Sequence, residues 1–318
     1  MTMTLNPKQK RPSWFSRFWA MVRYEMLWNI RKKKFLGVIA AVFVIATLIL
    51  VLPVAISTYN GTKIAANPDY AITFGGSGFV FLLFAIATGV NSISSEFEGG
   101  TIVPLVTKPI SRTMIFLGKV FGTFIILVVS YVVLFGYLTV ASLIVYGPQN
   151  DLQYMPVIVI GSIISTFIWV SLLFAVGSIS KNTIMTVIVA IILFLAFFFA
   201  APIIGEFLGP SPTLNYFPGT GASGTLLVGN GTSVGSGTDN IGVNIVNYAL
   251  YPSSNVTYFK TNSTALLSGN ATAAQTNIVS YVEPTGLVAL RSIIIAAAYI
   301  AGLMTVAWVA FKRSQILE

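Results

Sequence analysis

Six stretches of this chain each run for more than twenty residues with almost no charge: Phe35–Ser57, Thr73–Ser94, Thr113–Tyr146, Met155–Ser178, Thr183–Leu208 and Gly286–Phe311. About 20 apolar residues suffice to cross the hydrocarbon of a bilayer as a helix. Inside that hydrocarbon a backbone must satisfy its own hydrogen bonds, which favours helices over open strands for runs of this length. The expected fold class is therefore an all-α membrane protein with six transmembrane helices. Composition agrees, because only 8% of residues are charged where a soluble domain carries roughly 25%. The third run is long enough to tilt or to project beyond the hydrocarbon. The first is no cleaved signal peptide, since its apolar core is too long and follows 34 residues of other sequence.

The basic residues orient the spans. With the N-terminus inside, the cytoplasmic side receives Lys8, Lys10, Arg11, Arg17, Arg23, Arg31, Lys32, Lys33 and Lys34, then Lys108, Arg112 and Lys119, then Lys181, and finally Lys312 and Arg313. Only Lys63 and Lys260 fall on the opposite side, and Arg291 lies within the sixth span. Such a bias predicts a multi-pass protein of the cell membrane with both termini cytoplasmic. It also accounts for the net charge of +9 without a nucleic-acid partner. N-x-S/T acceptors at Asn60, Asn230, Asn255, Asn262 and Asn270 all fall in segments that this topology places outside, which makes them glycosylation candidates.

Four regions follow. Residues 1–34 form a cytoplasmic N-terminus with an amphipathic helix, in which Phe15, Phe18, Trp19, Val22, Met26 and Ile30 share a face opposite Arg17, Tyr24 and Arg31. Aromatic against cationic side chains describe a helix lying in the headgroup layer; a helix packed on a partner is the alternative. Residues 35–208 hold spans one to five, with a polar loop at 94–119. Residues 209–284 are an external segment rich in Gly, Ser and Thr, where the alternation of Ile241, Val243 and Ile245 and the run from Val256 suggest short strands. Residues 285–318 are span six and a cytoplasmic tail.

Histidine and cysteine are both absent, which removes thiol chemistry, disulfides and every imidazole mechanism. No acidic cluster suggests a metal site. Ion-coupled carriers and proton pumps need ionisable groups near the midplane, and the interiors of spans one to five offer none. Arg291 cannot relay protons, since a guanidinium does not deprotonate. Two readings of it stand: a structural pair with Glu206 at the outer ends of spans five and six, or an anion-attracting group at an outer mouth.

The polar loop, "SSEFEGGTIVPLVTKPISRTMIFLGK", concentrates the charge that the spans lack. Glu96 and Glu98 precede a glycine break. Ile102, Val103, Leu105 and Val106 then form a short apolar stretch that Pro109 ends, and Ser111 is placed to cap the next helix. A short helix held crosswise at the membrane surface and flanked by charges suits docking of a soluble partner.

Glu98, Gly100-Thr101, Leu105, Pro109-Ile110-Ser111-Arg112 and Gly118-Lys119 resemble the signature of permeases of the type-2 ATP-binding-cassette exporters, where it lies between the second and third of six spans. The topology resembles that family along the whole chain; specific residues match over this loop alone. The resemblance implies a coupling helix that docks on a separate ATPase subunit and a second permease subunit as partner. It further implies ATP and Mg bound by the ATPase, with no cofactor on this chain. Glu98, Arg112 and Lys119 are the charges expected either to grip the ATPase or to brace the loop against the N-terminal helix. The chain contains no G-x-x-x-x-G-K-[ST] loop, so it is not expected to hydrolyse ATP. Apolar spans suit a hydrophobic or amphiphilic cargo. The alternative function is a non-transporting membrane scaffold that displays a glycosylated external domain.

Overall fold

A computed structural model of the chain describes residues 13–62, 69–74, 78–90, 92–100, 110–208, 215–218, 223–226, 232–235, 240–260 and 278–314. Helix α1 (Trp14–Arg31) starts where the Ser13 hydroxyl accepts from the Ser16 N–H at 3.2 Å, a side-chain cap on otherwise orphaned donors. After Lys32 the chain turns into α2 (Lys33–Tyr59). A short α3 (Tyr70–Thr73) and α4 (Gly78–Ala85) follow, and α4 continues as a π-helical turn over Ile86–Val90. Next come α5 (Ser94–Glu98), α6 (Arg112–Tyr146), α7 (Met155–Ser180) and α8 (Thr183–Leu208).

Five helices among the described residues are long and apolar enough to cross a membrane: Phe35–Tyr59, Val80–Glu98, Arg112–Tyr146, Leu152–Ser180 and Thr285–Arg313. Helix α8 is apolar over Thr183–Phe199; the side chains of 200–208 lie outside the described residues. Each span is recognisable in the sequence because its length and apolarity are local properties.

Helix α7 forms the centre of the bundle. Trp169, Val170, Leu173 and Phe174 on it are all at most 1% exposed, and it packs against α4, α6 and α8. Several of its hydroxyls turn inward and pair within the core: Tyr131 OH and Thr166 Oγ1 lie 2.5 Å apart, and Thr166 Oγ1 donates to the Ser162 carbonyl at 2.9 Å. Buried hydroxyls of this kind cost little in hydrocarbon once paired.

After α8 the chain forms β1 (Ser223–Leu226), β2 (Thr232–Gly235), α9 (Ile241–Leu250), β3 (Asn255–Lys260) and β4 (Ile278–Pro284), which runs directly into α10 (Thr285–Arg313). The strands pair antiparallel in the order β2-β1-β3-β4. The run from Val256 is thus a strand. The alternation at Ile241, Val243 and Ile245 is not: these residues lie in helix α9, whose Ile241, Gly242, Val243, Asn244 and Val246 are buried. Tertiary packing decides this local choice. Helix α9 wedges between α7 and α10, and it comes so close that a Cβ on Gly161 would lie 2.2 Å from the Gly242 nitrogen. Two glycines in register let two backbones touch.

Helix α1 divides its expected apolar face. Val22 is fully buried, but Phe15, Trp19 and Ile30 are 67%, 52% and 44% exposed. The stripe turned toward the protein is Met21, Val22, Glu25 and Asn29, because it lies on two glycines of α6.

Gly161→Ala forces its Cβ into backbone that cannot yield, and overpacking of this kind costs about 1–3 kcal/mol or more. A melt of the detergent-solubilised protein should show Gly161→Ala well below Gly136→Ala, whose Cβ would enter open space. Equal melting temperatures would rule out the α7–α9 contact.

Candidate functional site

Gly118 and Gly122 stand four residues apart on one face of α6 and form a small-xxx-small surface. A Cβ on Gly118 would meet Met21 Cγ at 2.5 Å, and one on Gly122 would meet Glu25 Cβ and Cγ at 2.9 Å. Only hydrogen at these positions lets α1 lie flush on α6. That approach carries Glu25 to Lys119, the residue between the glycines.

Lys119 Nζ lies 3.0 Å from Glu25 Oε2 and 2.6 Å from Glu96 Oε2. Lys119 and Glu25 are fully buried and Glu96 is 1% exposed. One ammonium thus joins two carboxylates from different elements. Around Glu25 the remaining capacity is filled: Ser92 Oγ donates to Oε1, as does Asn29 Nδ2 at 3.2 Å, and Thr123 Oγ1 stands 3.0 Å from Ser92 Oγ. Buried charge persists only when paired and hydrogen-bonded in this way. The π-helical turn at Ile86–Val90 immediately precedes Ser92 and Glu96.

The exposed flanks of the loop reach other helices. Glu98 Oε2 accepts from the Thr183 N–H at 2.9 Å, placing a carboxylate at the N-terminus of α8, where the helix dipole favours it. Arg112 Nη1 donates to the carbonyls of Lys312 at 2.8 Å and Ser314 at 3.1 Å, satisfying the open end of α10. Lys32 Nζ donates to Ser95 Oγ at 3.0 Å, Lys181 Nζ sits 5.8 Å over the Phe97 ring, and Phe97 meets Phe311 edge-on at 5.9 Å. Gly100 leaves α5 with φ of +64°, a left-handed turn that favours glycine. Ser111 Oγ accepts from the Met114 N–H at 3.2 Å and starts α6.

The loop residues therefore divide. Glu96 and Lys119 are sealed inside and touch no soluble partner in this conformation; they brace α5 and α6 against α1. Glu98 and Arg112 lie at the surface and hold the ends of α8 and α10. Thr101, Leu105 and Pro109 lie outside the described residues, as do Asn230, Asn262 and Asn270. Glu25 was missed by sequence reasoning. Its signal was available: it is the only acidic residue before Asp69, and it sits four residues before Asn29 on the face of Val22.

At the other end of the bundle Arg291 pairs with Glu283; the side chain of Glu206, its expected partner, lies outside the described residues. Arg291 Nη1 contacts Glu283 Oε1 at 2.6 Å and Oε2 at 2.8 Å, and Tyr258 OH donates to the same carboxylate at 3.3 Å. Tyr281 stacks on Tyr258 with ring centroids 4.1 Å apart, and its oxygen accepts from Asn215 Nδ2 at 3.1 Å. Burial, then Tyr258 and Glu283 nearby, push the Tyr281 phenol far above its usual range. Proximity in the chain explains the pairing, since β4 turns directly into α10 and returns Glu283 to Arg291. Paired in this way, Arg291 ties the sheet to the span.

Among families of known proteins, the model described as ABC-2 family transporter protein matches residues 19–316. A search of curated proteins finds no match to the chain.

Lys119→Met leaves two buried carboxylates without their cation, and breaking a buried pair costs about 3–5 kcal/mol. Adding Glu25→Gln and Glu96→Gln should return most of that loss, since the three groups form one network. Denaturant titrations of the single and triple variants check this; additive losses would show that the three charges are not coupled.

Proposed function

From the membership of this chain in the ABC-2 family of transporters, which makes it a multi-pass permease subunit of an ABC transporter, we propose that it is the membrane half of an exporter driven by a separate ATPase that docks on loop 94–119. The observation that carries this reading is the set of ties made by the flanks of that loop. Glu98 holds α8, Arg112 holds α10, and Lys119 with Glu96 holds α1. A displacement of the loop is therefore delivered to three other helices at once. Thr183–Leu208 acts as a sixth span, α1 lies in the cytoplasmic headgroup layer, and both termini are cytoplasmic.

ATP and Mg belong to the partner, because this chain has no phosphate-binding loop. Two permease subunits pair, each served by one ATPase, and closure of the ATPases on ATP moves the spans between inward and outward access. The sequence places no ionisable group in the interiors of spans one to five for a proton relay or a coupling-ion site, and on this reading the energy enters through the loop. Their apolar surfaces suit a hydrophobic or amphiphilic cargo, including lipidic molecules that present few charges. Residues 209–284 form the external cap.

Glu98→Lys places a cation at the N-terminus of α8 and reverses the charge shown to the ATPase, without touching the buried network. Transport per ATP should fall about 5- to 150-fold, the span of an ordinary coupling free energy, while the permease stays inserted. Copurification with the ATPase and vesicle transport measure this. Unchanged coupling, or a wild-type permease that brings down no ATPase, sinks the docking role.

The external placement is open to a separate check. Asn60 at the end of α2 and Asn255 at the start of β3 are both exposed. Expressed in glycosylating cells, the chain should shift in mobility on amidase treatment, and less so once Asn255→Gln and the sequons at Asn230, Asn262 and Asn270 are removed. No shift at all would place 209–284 away from the glycosylating side.

A further inference from the structure

Beneath α1 lies a cavity of about 210 Å³. Met26 and Ile30 of α1, Phe35 and Phe43 of α2, and Ile126 and Val133 of α6 line it, and Ser130 is the one polar side chain in its wall. Cargo-sized pockets occupy roughly 300–1,000 Å³, so this one is too small for the transported molecule. It holds about seven groups of water size at ~30 Å³ each, a segment of hydrocarbon chain. It also opens at the surface, because its lining residues Ile30, Val129 and Val133 are 44%, 57% and 54% exposed.

The charge at its edge is one-sided. Ile30 and Phe35, both in the wall, bracket the run Arg31-Lys32-Lys33-Lys34. Lys32 is committed to the protein, with Nζ on Ser95 Oγ and 4.9 Å over the Trp28 ring. Arg31 and Lys33 are exposed. No acidic residue occurs between Glu25 and Asp69, and Glu25 itself is buried on Lys119. Of the carboxylates on the neighbouring elements, Glu96 is buried on Lys119 and Glu98 is committed to the N-terminus of α8. The outer face of α1, with Trp14, Phe15, Trp19 and Leu27 exposed, continues the apolar surface beyond the groove.

We propose that the groove binds one anionic phospholipid, with an acyl chain under α1 and the phosphate on Arg31 and Lys33. Charge complementarity selects the occupant: a zwitterionic lipid can fill the groove but has no net charge to offer the two cations. A lipid seated there presses on the helix that carries Glu25, so the composition of the leaflet bears on how firmly α1 is held to α6.

Native mass spectrometry of the full chain, released from micelles mixing phosphatidylglycerol with phosphatidylcholine, counts the retained lipids. One phosphatidylglycerol per chain should survive in preference to phosphatidylcholine, and added salt should weaken its binding. Arg31→Gln with Lys33→Gln should lower the affinity roughly 30-fold, about five-fold per cation. Val133→Trp, at an exposed wall position, should displace the chain while leaving every charge and the core in place. Melting temperatures of the variants establish that they are folded. Equal retention of the two lipids overturns the proposal. So does phosphatidylglycerol binding that is indifferent to removal of the cations, or to filling of the groove.

Discussion

One ammonium shared by two carboxylates, sealed from water at the foot of a nearly chargeless bundle, is the constraint on which this end of the protein depends. Lys119 reaches Glu25 on α1 and Glu96 on α5. None of the three charges is affordable alone in a low-dielectric setting, because desolvation of an isolated ion costs several kcal/mol. They are stable only together, so three elements distant in sequence are held in one arrangement. The glycines at 118 and 122 make this possible by bringing backbones close enough for short side chains to meet.

Burial of the network changes how the loop is understood. A surface charge can be moved or lost with little effect on the fold. A buried and shared one is held from both sides, and it fixes the foot of the loop. The exposed ties at Glu98 and Arg112 complete it by holding a helix N-terminus and a helix C-terminus, where orphaned N–H and C=O groups are available. The far end of the molecule uses the same device on a smaller scale, since Glu283 and Arg291 join the small sheet to α10. Between these two ends hydroxyls such as those of Thr47, Thr88, Tyr131, Thr166 and Ser171 pair with one another or with carbonyls of the preceding turn.

Much of the fold was legible in the sequence. Long apolar runs mark the spans because a bilayer imposes one length on every crossing helix. Ser111 stands where a cap is needed, and the Val256 run is a strand. The strand expectation at Ile241–Ile245 failed because five alternating residues also fit a helix, and only the contact of Gly242 with Gly161 chooses between them. The inward stripe of α1 was not legible for a related reason. Phe15, Trp19 and Ile30 point outward, and the inward stripe is chosen by the glycines of α6.

By itself the sequence determined that this chain crosses a membrane repeatedly, carries no thiol or imidazole chemistry, and keeps most of its charge in the N-terminal segment and the loop at 94–119. These are properties of composition and local pattern, measured against a bilayer that acts alike on every segment. Tertiary structure alone decided which charges meet. Glu25 and Lys119 are 94 positions apart, and nothing in the spacing of either announces the other. Their pairing arises from the depth of a glycine surface and the angle of the helix lying on it, which exist only once the helices have packed.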